Sequence, residues 1–264
     1  MNDFPKGSVW LVGAGPGDPE LLTRKAERLL TGADTVFFDA LVSPAILELL
    51  PAGVEKISVG KRSGRHSVPQ PMICDLIVKA ANEGKRVVRL KGGDPSIFGR
   101  AEEEIEACKG EGILVQVCAG VTTASAAAAS LSTSLTKRGL ARRLTFVTAH
   151  TRGGVVSDLD WQALADPQTT IAVYMGKSAA PHLARGLIRA GLAKDTPVIL
   201  IENVSLPTER HFPTCLETLP IAARTALGNG PALILIGEAM DDPVQAAHAK
   251  REVVQKVEPV QTAV

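Results

Sequence analysis

The chain has 264 residues, of which 45% are hydrophobic and 22% charged, a composition that places it with ordinary globular proteins and excludes a disordered chain. Its length makes two domains the natural prior, because single domains centre on roughly 100–150 residues. A formal net charge of +1 supplies no global field to hold nucleic acid or an anionic membrane, so an acidic ligand must meet locally clustered bases.

The first residues run straight toward a strand, without the basic, apolar and small-residue series of a signal peptide, and no stretch approaches the ~20 apolar residues that cross a bilayer. The cytoplasm is the expected location. Residues 9–12 read as a strand, and Gly13-Ala14-Gly15-Pro16-Gly17 as the turn into a helix capped by Asp18, begun by Pro19 and carrying Leu22, Ala26, Leu29 and Leu30 on one face. Residues 35–38 form the next strand, ending at Asp39. Ser43-Pro44 then opens a short helix that stops before Pro51.

A third strand is expected at 54–59. The polar loop 60–70 follows, then a helix through Ile73, Ile77 and Ala80 that closes at Gly84. Residues 87–90 make a fourth strand, followed by Lys91-Gly92-Gly93-Asp94-Pro95, an acidic helix containing Glu102, Glu103, Glu104 and Glu106, a strand at 114–117 and a small-residue helix at 122–131. This alternation is the signature of βαβ units around a mostly parallel sheet.

The bases Lys137, Arg138, Arg142 and Arg143 around Gly139 mark a candidate linker. Beyond it, strands at 144–147, 170–174, 198–201 and 233–236 and helices near 179–190 and 219–226 suggest a second α/β domain. The expected division is 7–135, 143–240 and a frayed tail at 241–264.

Each motif has a bland alternative. Gly13–Gly17 resembles a dinucleotide loop, but Asp18 stands where the third glycine belongs and Pro16 lacks a backbone donor, so a tight α/β turn is the better reading. Gly92-Gly93-Asp94-Pro95 lies just past a strand, where open α/β sheets bind ligands. Its glycines let a ligand approach the backbone, and Asp94 could pair with an amino group, against the alternative of a plain turn and helix start. Asp39, also at a strand end, is either a catalytic carboxylate or a turn former. Lys61, Arg62, Arg65 and His66 crowd one loop that either receives anionic groups or is solvated.

Cys74, Cys108, Cys118 and Cys215 show no CxxC pair and are expected to be small buried hydrophobes. The histidines lack metal-ligand spacing, so no metal site is argued. Ser125 and Ser130 lack the turn of a serine hydrolase, and Trp10 and Trp161 make no stacking platform for nucleic acid.

Taken in order, Val12 to Asp18, Asp39 to Ser43, Val59-Gly60-Lys61-Arg62, Val68-Pro69-Gln70 and Arg89 to Pro95 resemble the tetrapyrrole methylase family, within it the members that methylate uroporphyrinogen III. The likeness continues through Ile97-Phe98-Gly99-Arg100, Ala119 to Ser125, Val147 to His150, Tyr174-Met175-Gly176, Glu202-Asn203 and Pro231-Ala232-Leu233, and so spans about residues 7 to 240. The chain departs from the family pattern at Ala40, Ser96, Ala101 and Val204, the last making that contact the least secure.

The resemblance implies two α/β domains with the active site in the cleft between them, a homodimer, and S-adenosylmethionine as methyl donor, with S-adenosylhomocysteine as product. It implies donor contacts at Pro16, Gly92, Gly93, Asp94, Ile97, Thr122, Thr123, Met175 and the backbone at Val204. Asp39 is implied as proton acceptor and Lys61 as proton donor. Methylation at C2 and then C7 of uroporphyrinogen III would give precorrin-2 through precorrin-1, without NAD chemistry or iron insertion. The substrate's eight carboxylates must find local bases, for which Arg62, Arg65, Arg100 and Lys137 are the candidates. The rivals are a methylase of a later corrin precursor, an NAD-dependent dehydrogenase and a non-catalytic tetrapyrrole carrier.

Overall fold

The computed structural model describes residues 4–60, 68–149, 151–152, 155–156 and 159–241. The chain divides into two compact units between Ala126 and Ala127. Each has its own five-stranded sheet.

The first sheet contains β1 (Val9–Gly13), β2 (Thr35–Phe38), β3 (Glu55–Ser58), β4 (Val87–Lys91) and β5 (Val115–Cys118) in the order β3-β2-β4-β1-β5. Every pairing is parallel, so each connection must cross over, and helices make most of these crossovers. The helices are α1 (Arg24–Thr31), α2 (Pro44–Glu48), α3 (Gln70–Asn82), α4 (Ala101–Gly110) and α5 (Thr123–Ser130).

Alternate strand residues feed two cores, because successive side chains on a strand point to opposite faces. Trp10, Val12, Val36, Val88 and Leu90 pack with Ala26, Leu29 and Leu30 of α1 and Ile46 of α2. Val9, Leu11, Phe37 and Val87 pack with Ile73, Ile77 and Ala80 of α3 and Cys108 of α4.

One expected element is divided. The helix proposed to run from Pro19 through Leu30 begins as a single 3-10 turn, Pro19–Leu21, capped by Asp18, whose side chain accepts from Glu20 N. Leu22 is then extended at φ −66°, ψ 137°, and Thr23 starts α1 afresh by accepting from Ala26 N. Both caps are used, each on its own element: Asp18 serves only the 3-10 turn, and the Thr23 hydroxyl satisfies an orphan amide in the first turn of the helix that carries Ala26, Leu29 and Leu30.

The second unit contains β6 (Arg143–Thr148), the antiparallel pair β7 (Thr151–Arg152) and β8 (Val155–Val156), α6 (Trp161–Leu164), β9 (Thr169–Tyr174), α7 (Ala180–Arg189), β10 (Pro197–Glu202), β11 (Arg210–Cys215), α8 (Leu219–Thr225) and β12 (Ala232–Ile236). Its sheet runs β11-β10-β12-β9-β6 and is antiparallel except for β6 with β9. The edge strand β11 was not expected: Arg210 and His211 are exposed and Pro213, which an edge strand tolerates, stands within it, so it lacks the apolar alternation of a strand. Leu183 and Leu187 of α7 and Leu219 and Ala223 of α8 cover the sheet.

The four cysteines are free. Cys74, Cys108 and Cys118 are buried as expected, whereas Cys215, at the end of an edge strand, is only partly covered. No helix among the described residues is long and apolar enough to cross a membrane.

Candidate active site

Open parallel sheets bind ligands beyond the carboxyl ends of their strands, where neighbouring strands send their connections to opposite faces. Strands β1 and β4 are neighbours that do so: β1 continues into α1 on one face and β4 into α4 on the other. The switch point therefore lies where Gly13 and Lys91 pair in register.

The loops leaving this point are stitched together by their backbones. Gly15 N donates to Gly93 O at 3.1 Å, Gly93 N returns a bond to Gly15 O at 2.6 Å, and Ala14 N donates to Lys91 O at 2.8 Å. Gly15 and Gly93 sit at φ +70° and +69°, where a side chain would be strained. The loop after β5 closes on the same spot: a Cβ on Gly13 would lie 2.6 Å from Gly120 Cα and 2.7 Å from Gly93 O. Three backbones thus meet where no side chain fits, which explains the first glycine loop without a bound phosphate.

Asp94 braces the turn. Its Oδ2 accepts from Gly120 N at 2.9 Å and its Oδ1 from Ser96 N at 2.8 Å and from the Ser96 hydroxyl. Ile97 N donates to Asp94 O at 3.1 Å, and the chain then passes through two left-handed residues, Phe98 and Arg100, on its way into α4. Gly93 faces Thr123, whose Oγ1 stands 3.8 Å from where a Cβ would be. Pro16, Ile97 and Thr122 are half-buried nearby in sequence. Ser43 ties the first loop down: its hydroxyl donates to Gly17 O at 2.6 Å and caps α2 through Ile46 N at 3.4 Å.

Asp39 follows β2 and is half-buried. Its Oδ1 accepts from Leu41 N at 3.0 Å, and its Oδ2 lies 3.5 Å from Arg89 Nη2. The end of β3 presses on its backbone, since a Cβ on Gly60 would come within 2.8 Å of Asp39 C. Gly60 immediately precedes Lys61, which with Arg62 and Arg65 lies outside the described residues.

Behind Asp39 is a cluster to which the sequence reading assigned no role. Arg89 and Lys91 share a strand face, both 4% exposed, and converge on the fully buried Glu104 of α4. Arg89 Nε donates to Glu104 Oε1 at 2.9 Å, Lys91 Nζ to Oε2 at 2.8 Å, and Gln70 Nε2 of α3 to Oε1 at 3.2 Å. Burial pushes the Lys91 ammonium below its ordinary value, helped by the neighbouring Arg89 charge and opposed by Glu104. The signal was present in the sequence: two charges spaced i, i+2 in an otherwise apolar central strand require a buried counter-charge.

In the second unit, Met175 follows β9 in the left-handed region at φ +55° with its side chain 46% exposed. Val204 is buried between two further left-handed residues, Asn203 and Ser205. Such strained positions cluster at functional sites. Arg100 is paired with Glu103 at 2.7 and 2.8 Å, and Lys137 closes a tight turn with Ala141.

The family model for tetrapyrrole (corrin/porphyrin) methylases matches residues 8–220. The chain belongs to the tetrapyrrole methylase family. Among its relatives, the siroheme synthase of Nitrosospira multiformis is 48% identical over 236 residues, covering 89% of this chain and 50% of that protein. The chain thus spans about half the length of the siroheme synthases it matches. The uroporphyrinogen-III C-methyltransferase of Pseudomonas aeruginosa is 48% identical over 239 residues, covering 90% of this chain and 96% of that enzyme. Two solved methylases share the fold. Uroporphyrin-III C-methyl transferase from Thermus thermophilus, complexed with S-adenyl homocysteine, superposes with a TM-score of 0.75 at 39% identity, covering 88% and 98% of the two chains. A cobalt precorrin-4 methyltransferase gives 0.80 at 31% identity, covering 89% and 97%.

Proposed function

We propose that this chain transfers methyl groups from S-adenosylmethionine to C2 and then C7 of uroporphyrinogen III, giving precorrin-2 through precorrin-1 for sirohaem or cobalamin formation. The observation that carries this reading is the likeness to the Pseudomonas aeruginosa enzyme along nearly the whole of both sequences.

The residues fit such a donor. Gly93, held left-handed, leaves clear the space beside Thr123 that a side chain would enter. The donor supplies an electrophilic methyl on a sulfonium. In this assignment Pro16, Gly92, Gly93, Asp94, Ile97, Thr122 and Thr123 of the first unit bind it, and Met175 and the Val204 backbone are the contacts from the second. The pyrrole carbon of a reduced tetrapyrrole is already nucleophilic, so the protein's main contribution is alignment. Each methylation is followed by loss of a proton, which Asp39 accepts from its strand-end position, with Lys61 as donor. Arg62, Arg65, Arg100 and Lys137 are assigned to the substrate carboxylates, Arg100 after exchanging Glu103 for one of them. A homodimer is proposed as the working form.

The likeness to a cobalt precorrin-4 methyltransferase favours a second reading, action on a later corrin precursor. Incubation with uroporphyrinogen III and S-adenosylmethionine, followed by mass analysis, separates them. Two added methyl groups are expected; an unmodified porphyrinogen would eliminate the first reading.

A further inference from the structure

Helix α4 carries four glutamates, Glu102, Glu103, Glu104 and Glu106, and of these Glu104 is the buried one. An ionised carboxylate is tolerated there because two cations and an amide converge on it. The cluster balances: Arg89 and Lys91 against Glu104 and Asp39. The thiols flanking it from α3 and α4 add no charge, because burial raises Cys74 above its ordinary value and pushes Cys108 up to about 11. Arg100, at the start of α4, is neutralised by Glu103.

Arg89 is held at two of its nitrogens. Nε donates to Glu104 Oε1, and Nη1 donates to Leu90 O at 2.8 Å. A guanidinium is a rigid plane, so fixing two nitrogens fixes the third. That third nitrogen, Nη2, faces Asp39 Oδ2, while Leu41 N holds Oδ1 from the other side.

We propose that Glu104 is a positioning residue of the methyl-transfer site, orienting through Arg89 the Asp39 carboxylate that takes the proton. Gln70 completes the grip from α3, which gives the Val68-Pro69-Gln70 segment a purpose: it delivers an amide to the carboxylate that anchors Arg89. This inference rests on the proposed role of Asp39 in methyl transfer.

The test is Glu104→Gln, alone and in an Asp39→Asn background, with single-turnover methylation of uroporphyrinogen III and calorimetric binding of S-adenosylhomocysteine. Misplacement of a reacting group by a fraction of an ångström lowers rate more than affinity, so kcat should fall about tenfold or more while KM for the donor stays within about twofold. In the Asp39→Asn background the same change should cost less than about twofold, because the group being positioned is gone. Should Glu104→Gln leave two buried cations that prevent folding, Lys91→Met/Glu104→Gln removes one charge of each sign and is read the same way. A folded variant with unchanged kcat, or an equal loss in both backgrounds, would overturn the inference and leave a cluster that only holds α4 on the sheet. Failure of the unmutated chain to methylate uroporphyrinogen III would overturn the function itself, and the inference with it.

Discussion

Asp94 Oδ2 accepts the Gly120 amide at 2.9 Å, joining the loop after β4 to the loop after β5. The same carboxylate caps Ser96, so one side chain fixes the turn that lies against Thr123. Asp94→Ala leaves a partly buried amide without its charged acceptor, which should cost about 1.5–3 kcal/mol in urea unfolding. Binding of S-adenosylhomocysteine should weaken in the same variant. Undiminished affinity in calorimetry would mean that the turn holds its shape without the brace.

Asp39→Asn should separate chemistry from binding. The amide is isosteric and can keep the Leu41 contact, but it cannot take a proton from a methylated ring. Loss of a general base typically costs ~10²–10⁴-fold in rate, so kcat should fall in that range while donor affinity stays within about twofold. Equal losses in both would assign Asp39 to binding and not to proton transfer.

Ser43→Ala tests how the first loop is fastened. The hydroxyl both donates to Gly17 O and caps α2, and neither partner has another obvious source in the alanine variant. A lost N-cap costs about 1 kcal/mol. Urea unfolding should show that loss, and donor affinity should fall modestly because Gly17 is part of the loop stitched to Gly93 through Gly15. A stability unchanged within error would show that water replaces the hydroxyl.

Much of the fold was legible in the sequence because parallel strands buried on both faces read as β-branched runs between glycine turns, as in Val9 to Gly13 and Val87 to Leu90. The clustering of Asp39, Gly13–Gly17 and Gly92–Asp94 at strand ends was equally legible, since a strand end and a glycine are local features. Three things were not. The break at Leu22 separates two capped elements, Asp18 serving the 3-10 turn and Thr23 the helix, where the sequence offered one apolar face running through both. Strand β11 has no apolar period: Arg210 and His211 are exposed, Phe212 alone reaches the core from its start, and the ladder to β10 holds the rest. For Arg89 and Lys91 the need for a buried counter-charge was legible, and Glu104 shares the helix face of Ala101, Ile105 and Cys108, but that these two elements meet is a long-range pairing that no local pattern states.

Stability should also carry a pH signature at Asp34. Arg86 grips this carboxylate through Nε at 3.1 Å, Nη2 at 2.9 Å and its backbone amide at 2.8 Å, chiefly through the side-chain bonds, and these hold the carboxyl below the ordinary aspartate value despite some burial. A depressed folded-state pKa means that the unfolded chain binds the proton first as pH falls, so the stabilisation is complete above the unfolded value near pH ~4 and is lost as pH drops through the folded one. Both side chains are about one-third exposed, at 37% and 35%, so solvent screening limits the pair to roughly 0.5–1 kcal/mol. Asp34→Asn should therefore be less stable than the parent by about that amount at pH 7, with the gap constant down to about pH 5 and closing below about pH 4. Guanidinium would screen the pair, so urea is the denaturant of choice. A gap that widened in acid would reverse the sign and assign the acid sensitivity of this edge of the sheet to another group.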